Sequence, residues 1–114
     1  MIRQIDSKEQ LTACLAVIHG SFATVAEEMQ LTRENCPNHT SFLPLKKLQQ
    51  QFEAGRLLFG VFHQEKQVGY FSLERKSDDV FELDHLGVLS EYRHRGYGRQ
   101  MITYAGSVLS LIHI

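Results

Sequence analysis

Between positions 57 and 88 three β-rich runs, 57–62, 68–73 and 80–88, are separated only by the short polar stretches 64–67 and 76–79. A parallel crossover needs a dozen or more residues, so runs this close in sequence can pair only as antiparallel neighbours. The centre of the fold is therefore an antiparallel meander, and everything else must pack on it. Ahead of it, positions 1–6 alternate well enough for a short strand, and Ser7 with Gln10 has the spacing of a capping box. Leu11, Leu15, Ile18, Phe22 and Val25 then form one apolar stripe of a helix, which Gly20-Ser21 is expected to bend or split. Positions 32–41 show no period and read as a loop. A second helix follows, with Pro44 in its first turn, Leu45, Leu48 and Phe52 on one face and Gly55 at its end. Beyond Val88 comes a basic glycine turn, then a helical face of Met101, Ile102, Ala105, Val108 and Leu109. The predicted class is α/β of the α+β kind: a mixed, mainly antiparallel sheet with flanking helices, in one domain over residues 1–114.

Composition narrows the function. The 114 residues are 43% apolar and 22% charged with a net charge of -1, ordinary for one globular domain. Near-zero charge lacks the basic footprint of a nucleic-acid binder, so no nucleic-acid partner is expected. No apolar run approaches the roughly 18 residues of a membrane span, so no membrane partner is expected either. Positions 1–6 lack the features of a secretory signal, which makes a cytoplasmic protein the expectation. Cys14 and Cys36 are too few for a disulfide scaffold, and Cys14, on the apolar helix face, reads as core.

The stretch Arg93-His94-Arg95-Gly96-Tyr97-Gly98-Arg99, between a strand and a helix, carries the chemistry. Two glycines at a helix start let the backbone approach a ligand and aim unpaired N–H groups at it, and the helix dipole adds positive potential. Arginines pair with phosphate in bidentate geometry. A plain surface turn has the same composition. A dinucleotide-binding turn needs a third glycine where Met101 stands, and a P-loop needs Gly-Lys-Ser/Thr; neither fits.

The string Leu83-Asp84-His85-Leu86-Gly87-Val88-Leu89-Ser90-Glu91-Tyr92-Arg93-His94-Arg95-Gly96-Tyr97-Gly98 resembles the acetyl-CoA signature of the GNAT superfamily of N-acetyltransferases, in its bacterial form. The preceding order of strand, two helices and three-strand meander is also similar to that family's. Gly87 stands where Ala is usual, a change expected to be mild, and Ser90 where Pro is frequent. The resemblance implies a GNAT-like fold and acetyl-CoA as acetyl donor, with an amine acceptor and no metal. It implies that Leu86, Gly87 and Val88 offer strand backbone to the pantetheine arm. His94, Arg95, Gly96, Tyr97, Gly98 and Arg99 would wrap the pyrophosphate, with Arg93 beside them. It also implies that the chain covers the front of the domain only, the C-terminal half-sheet and its thiolate-protonating tyrosine lying beyond it. The tail 109–114 matches the peptide encoded in one frame of a widely used transposase adapter, so native coding is expected to end near Val108.

Acetyl transfer needs a neutral amine, a polarised thioester carbonyl and a proton acceptor. By the two-residue period of a strand, Glu82, Asp84, Leu86 and Val88 are expected to share one side. Glu82 lies where histone-acetylating members carry their base, and Asp84 where bacterial members are often acidic; both also read as solvated strand acids. His85, on the opposite side, reads as a packed histidine. Phe22, Cys36 and His39 fall where members line the acceptor pocket, although 35–42 also reads as a plain connecting loop. Cys36 and His39 alone do not make a zinc site. Two functions stay open: an N-acetyltransferase acting on a small-molecule or protein amine, or a non-catalytic CoA- or anion-binding or interaction fragment. An exposed edge beside the Val88 strand would suit pairing with another chain, a homodimer included.

Overall fold

The computed structural model describes residues 1–112, without the side chains of Val25, Leu111 and Ile112. The side chain of Val25, of the expected helix stripe, and positions 113 and 114 of the tail thus lie outside what is described. The elements run β1 (Ile2–Gln4), α1 (Leu11–Glu28), α2 (Leu45–Glu53), β2 (Leu57–His63), β3 (Lys66–Arg75), β4 (Phe81–Val88) and α3 (Tyr97–Ile112). Single 3₁₀ turns at Lys8–Gln10, Thr40–Phe42 and Ser90–Tyr92 precede the helices or join them. One sheet has the order β1-β2-β3-β4, and every neighbouring pair is antiparallel. The meander is as its short turns require. Among the described residues no helix is long and apolar enough to cross a membrane.

Local signals explain most boundaries. Gln10 reaches back to accept from the N–H groups of Asp6 (2.9 Å) and Ser7 (3.2 Å), the return half of the expected box. Gly55, at φ +95°, ends α2 in the left-handed conformation that glycine adopts without strain. The expected break at Gly20-Ser21 is absent: α1 runs unbroken through it. Gly20 serves packing instead, since a Cβ there would lie 2.8 Å from Leu89 Cδ2.

The sheet separates two cores. On one face α1 and α2 bury Leu11, Cys14, Ile18 and Leu48 against Leu58 and Tyr70. On the other, α3 covers Phe59, Val61, Phe71 and Leu73 with Met101 and Ala105. Phe59 stacks on Phe71 at 4.8 Å, and Tyr104 meets Phe59 edge-on at 5.6 Å. Each such burial contributes roughly 1.5–3 kcal/mol.

Strand β4 departs from the simple alternation. Ser72 pairs with Asp84 but Tyr70 pairs with Gly87, so His85 and Leu86 together oppose Phe71. His85 absorbs the extra residue at φ +55°, forming a β-bulge. The bulge reverses the faces beyond it and corrects the expected sharing of one side. Asp84 pairs across from Ser72, whose hydroxyl donates to the Asp84 carbonyl at 3.3 Å, whereas Leu86 and Val88 pack with the core under α3.

Candidate active site

Beyond β4 the chain passes through the 3₁₀ turn Ser90–Tyr92 and the glycine turn into α3, and a cleft of about 490 Å³ opens there. Of the residues expected to hold the cofactor, Leu86, Gly87, Val88, Arg93, His94, Gly96, Tyr97 and Gly98 line it together, joined by Ser21, Phe22 and Tyr92. Arg95 and Arg99 do not. The Arg95 guanidinium sits over the Tyr92 ring at 5.1 Å, and Arg99 lines a separate groove with Thr103 and Tyr104.

The turn has the geometry of an anion cradle. His94 and Gly96 both have left-handed φ, +63° and +84°, which turns successive N–H groups toward one side. The first helical bond of α3 runs from Gln100 N–H to the Gly96 carbonyl (3.1 Å), leaving the N–H groups of Tyr97, Gly98 and Arg99 without helical partners. A Cβ at Gly96 or Gly98 would meet nothing within 4 Å, so the protein's own packing does not require glycine there. The open space suits a group that approaches the backbone closely, as a pyrophosphate does.

Arg93 has a different geometry from the one the motif implies. Its Nε donates to the Val88 carbonyl (3.1 Å), and Nη2 donates to the Ser21 carbonyl (2.7 Å) and Thr24 Oγ1 (3.2 Å). The guanidinium thus ties the end of β4 to α1, on the cleft wall but turned into the protein. Gly87 marks the same contact. A Cβ there would stand 2.9 Å from Ser21 Cβ and 3.0 Å from Phe22 Cε2. Glycine at this position thus lets α1 lie against β4, in space that a methyl group would otherwise fill. Gly87→Ala is expected to push α1 outward at a cost of about 1–3 kcal/mol, read by denaturant unfolding. An unchanged midpoint would show that α1 yields freely.

The acidic strand lies apart from this cleft. Asp84 is largely buried, with Oδ2 at 3.5 Å from Arg56 Nη1, and Arg56, only 13% exposed, also binds Glu74. Glu82 is half exposed, with Lys76 Nζ at 3.6 Å. Neither carboxylate lines the cleft. Burial holds the His85 imidazole below its usual pKa, and its Nδ1 has no hydrogen-bond partner. Burial likewise pushes the Tyr70 phenol well above the ordinary tyrosine range.

Of the expected acceptor residues, Phe22 reaches the cleft wall; Cys36 and His39 do not. His39 caps the turn Thr40–Phe42, its Nδ1 accepting from the Ser41 N–H at 3.2 Å. Among the described residues no three His, Cys, Asp or Glu side chains gather as a metal site. The sequence reading missed Arg56 and Ser21; neither stands in a motif, and only the tertiary contacts identify them.

Known structures share this architecture. The PaiA N-acetyltransferase of Thermoplasma acidophilum, solved in complex with coenzyme A, matches 96% of this chain over 71% of its own, at 21% identity and a TM-score of 0.68. The aminoglycoside 6'-N-acetyltransferase of Enterococcus faecium matches 98% of the chain over 56% of its own, at 14% identity and a TM-score of 0.67. An acetyltransferase of Thermus thermophilus matches 94% over 68%, at 20% identity and a TM-score of 0.66. The chain thus spans between 56% and 71% of the length of these proteins. No curated protein matches it in sequence. At these identities the likeness establishes the fold; the acetyltransferase (GNAT) family model, which matches residues 23–107 and so takes in the meander, the bulged strand and the glycine turn, establishes that the chain belongs to the GNAT family.

Proposed function

We propose that this chain transfers the acetyl group of acetyl-CoA to a primary amine of a small molecule or protein. The observation that carries the reading is the continuity of one cleft from the left-handed turn at the start of α3 to the β4 backbone at Leu86, Gly87 and Val88. Phosphate would lie on the unpaired N–H groups, and the amide-bearing arm would run along β4 like an added strand. Acetyl-CoA supplies the activated thioester. The bulge at His85 interrupts the ladder beside Leu86, where backbone N–H groups could polarise a carbonyl.

Glu82 is the base this reading assigns, with Asp84 second. Asp84 is engaged by Arg56, whereas Glu82, half exposed with Lys76 Nζ at 3.6 Å and outside the cleft, would act through intervening water. Glu82→Gln is expected to lower kcat roughly a hundredfold while acetyl-CoA affinity stays within twofold, since general bases contribute about 10²–10⁴. An unchanged kcat would remove Glu82 from that role. The reading places the protein in the cytoplasm without nucleic-acid or membrane partners, and the edge of β4 between 81 and 84, clear of the cofactor arm, is where a second copy would pair.

Calorimetry with acetyl-CoA, followed by thiol release with a panel of amines, tests the proposal. Saturable binding with turnover supports it. Absence of binding overturns it, and binding with no turnover on any amine favours the non-catalytic module.

A further inference from the structure

The glycine turn carries its strained backbone in the open. His94 and Gly96 are left-handed, both are exposed, and a Cβ at Gly96 would meet nothing within 4 Å. A left-handed residue other than glycine persists only where its surroundings hold it. The side chains on either side of Gly96 supply that hold. On one side the Arg95 guanidinium lies over the Tyr92 ring at 5.1 Å, and that ring in turn meets the His63 imidazole at 5.5 Å. On the other side a hydrogen bond of 3.1 Å joins the Tyr97 hydroxyl to His63 Nδ1.

Both flanks of the turn therefore meet at His63, which ends β2 and stands 34 residues before Tyr97. It is a firm anchor. Strand β2 is paired on both sides, with β1 and β3, and His63 itself pairs with Lys66 across the connecting turn. Lys66 adds a further contact, its Nζ standing 5.4 Å from the Tyr92 ring centre. Tyr92 and Tyr97 line the cleft, whereas His63 does not. The imidazole thus reaches the cofactor site only through these two rings.

We infer that His63 is a positioning residue for the cofactor: by holding Tyr92 and Tyr97 it keeps residues 94–96 in the conformation that turns the N–H groups of the glycine turn to one side. The inference rests on the reading of the cleft as an acetyl-CoA site. Without the imidazole the turn spends part of its time in other conformations, and the affinity falls by the fraction that stays competent to bind.

Calorimetric titration of the unaltered chain with CoA comes first. No binding there overturns the cofactor cleft and the inference with it; binding isolates the part played by His63. His63→Ala is then expected to weaken CoA about tenfold, the turn being competent about a tenth of the time. Tyr97→Phe keeps the ring and removes the hydroxyl, and should weaken CoA several-fold. The double variant should bind no more weakly than His63→Ala alone, because the hydroxyl acts through the imidazole. Amide hydrogen exchange in the free chain separates this from a general loss of fold. In His63→Ala, exchange is expected to quicken most at Gln100, whose N–H donates to the Gly96 carbonyl, and far less in the buried strand β3. Unchanged affinity in His63→Ala, additive losses in the double variant, or exchange that quickens as much throughout β3 as at Gln100 would overturn the inference.

Discussion

Gly96→Val is expected to lower the affinity for CoA and acetyl-CoA at least about a hundredfold while leaving the fold in place. Gly96 sits at φ +84°, and nothing lies within 4 Å of where its Cβ would be. The substitution therefore creates strain without a clash. An L-residue in the left-handed region costs about 1–2 kcal/mol, and a β-branched one costs more. The turn is solvent-exposed and tied down by few contacts, so it can relieve that strain by returning residue 96 to negative φ. The N–H groups of the turn would then no longer converge on one side. A hydrogen bond to a charged group contributes about 1.5–3 kcal/mol, so losing two removes at least about 3 kcal/mol, beyond a hundredfold in Kd. Calorimetry reads the affinity, and the unfolding midpoint separates loss of binding from loss of fold. Unchanged affinity would mean that the turn does not hold the pyrophosphate. Gly96→Ala should fall between the two, since it carries the strain without the branch.

How far the sequence reveals this architecture depends on the range of the interaction involved. The meander is legible because the turns at 64–67 and 76–79 are too short for any other connection, and β2, β3 and β4 pair accordingly. The glycine turn is legible because Gly at φ > 0 is a local requirement, met at Gly96. The bulge is not. His85 takes a left-handed φ without being glycine, and strict alternation through 82–88 runs straight past it. One extra residue is enough to exchange faces, which is why Asp84 and Leu86 part company. Gly20 misleads for a related reason. Within a helix it reads as a weak point, but its cause is the Leu89 side chain pressed against it from another element.

The site shows the same division. The N–H groups that make the anion cradle are backbone and follow from the local turn. The side chains around them do not follow, because a motif records which residue stands at a position and not where its atoms are directed. Arg95 lies over Tyr92, Arg99 faces another groove, and Gly87 is set by the approach of α1. Positive charge at this turn is therefore carried mainly by the helix start and its N–H groups, with the three arginines contributing at a distance.

Arg93→Ala is the substitution expected to damage both stability and binding. Three hydrogen bonds end at this guanidinium, to the carbonyls of Val88 and Ser21 and to Thr24 Oγ1. They hold the last residue of β4 to α1, directly beside the cleft. Removing them leaves these acceptors without their donor, and the net cost is about 2–4 kcal/mol. In a domain of this size that lowers Tm by about 8–17 °C. CoA affinity should fall with it, because the turn and the strand end lose their common support. Arg93→Lys separates a clamp from a phosphate ligand. A lysine binds phosphate as a point charge, so a direct ligand would keep most of its affinity after this change. A single ammonium cannot reproduce donors directed to β4 and α1 at once, so the clamp predicts that Arg93→Lys recovers little of the lost Tm or affinity. Full recovery of CoA affinity by Arg93→Lys without recovery of Tm would return Arg93 to the phosphate and leave the tie between β4 and α1 without functional weight.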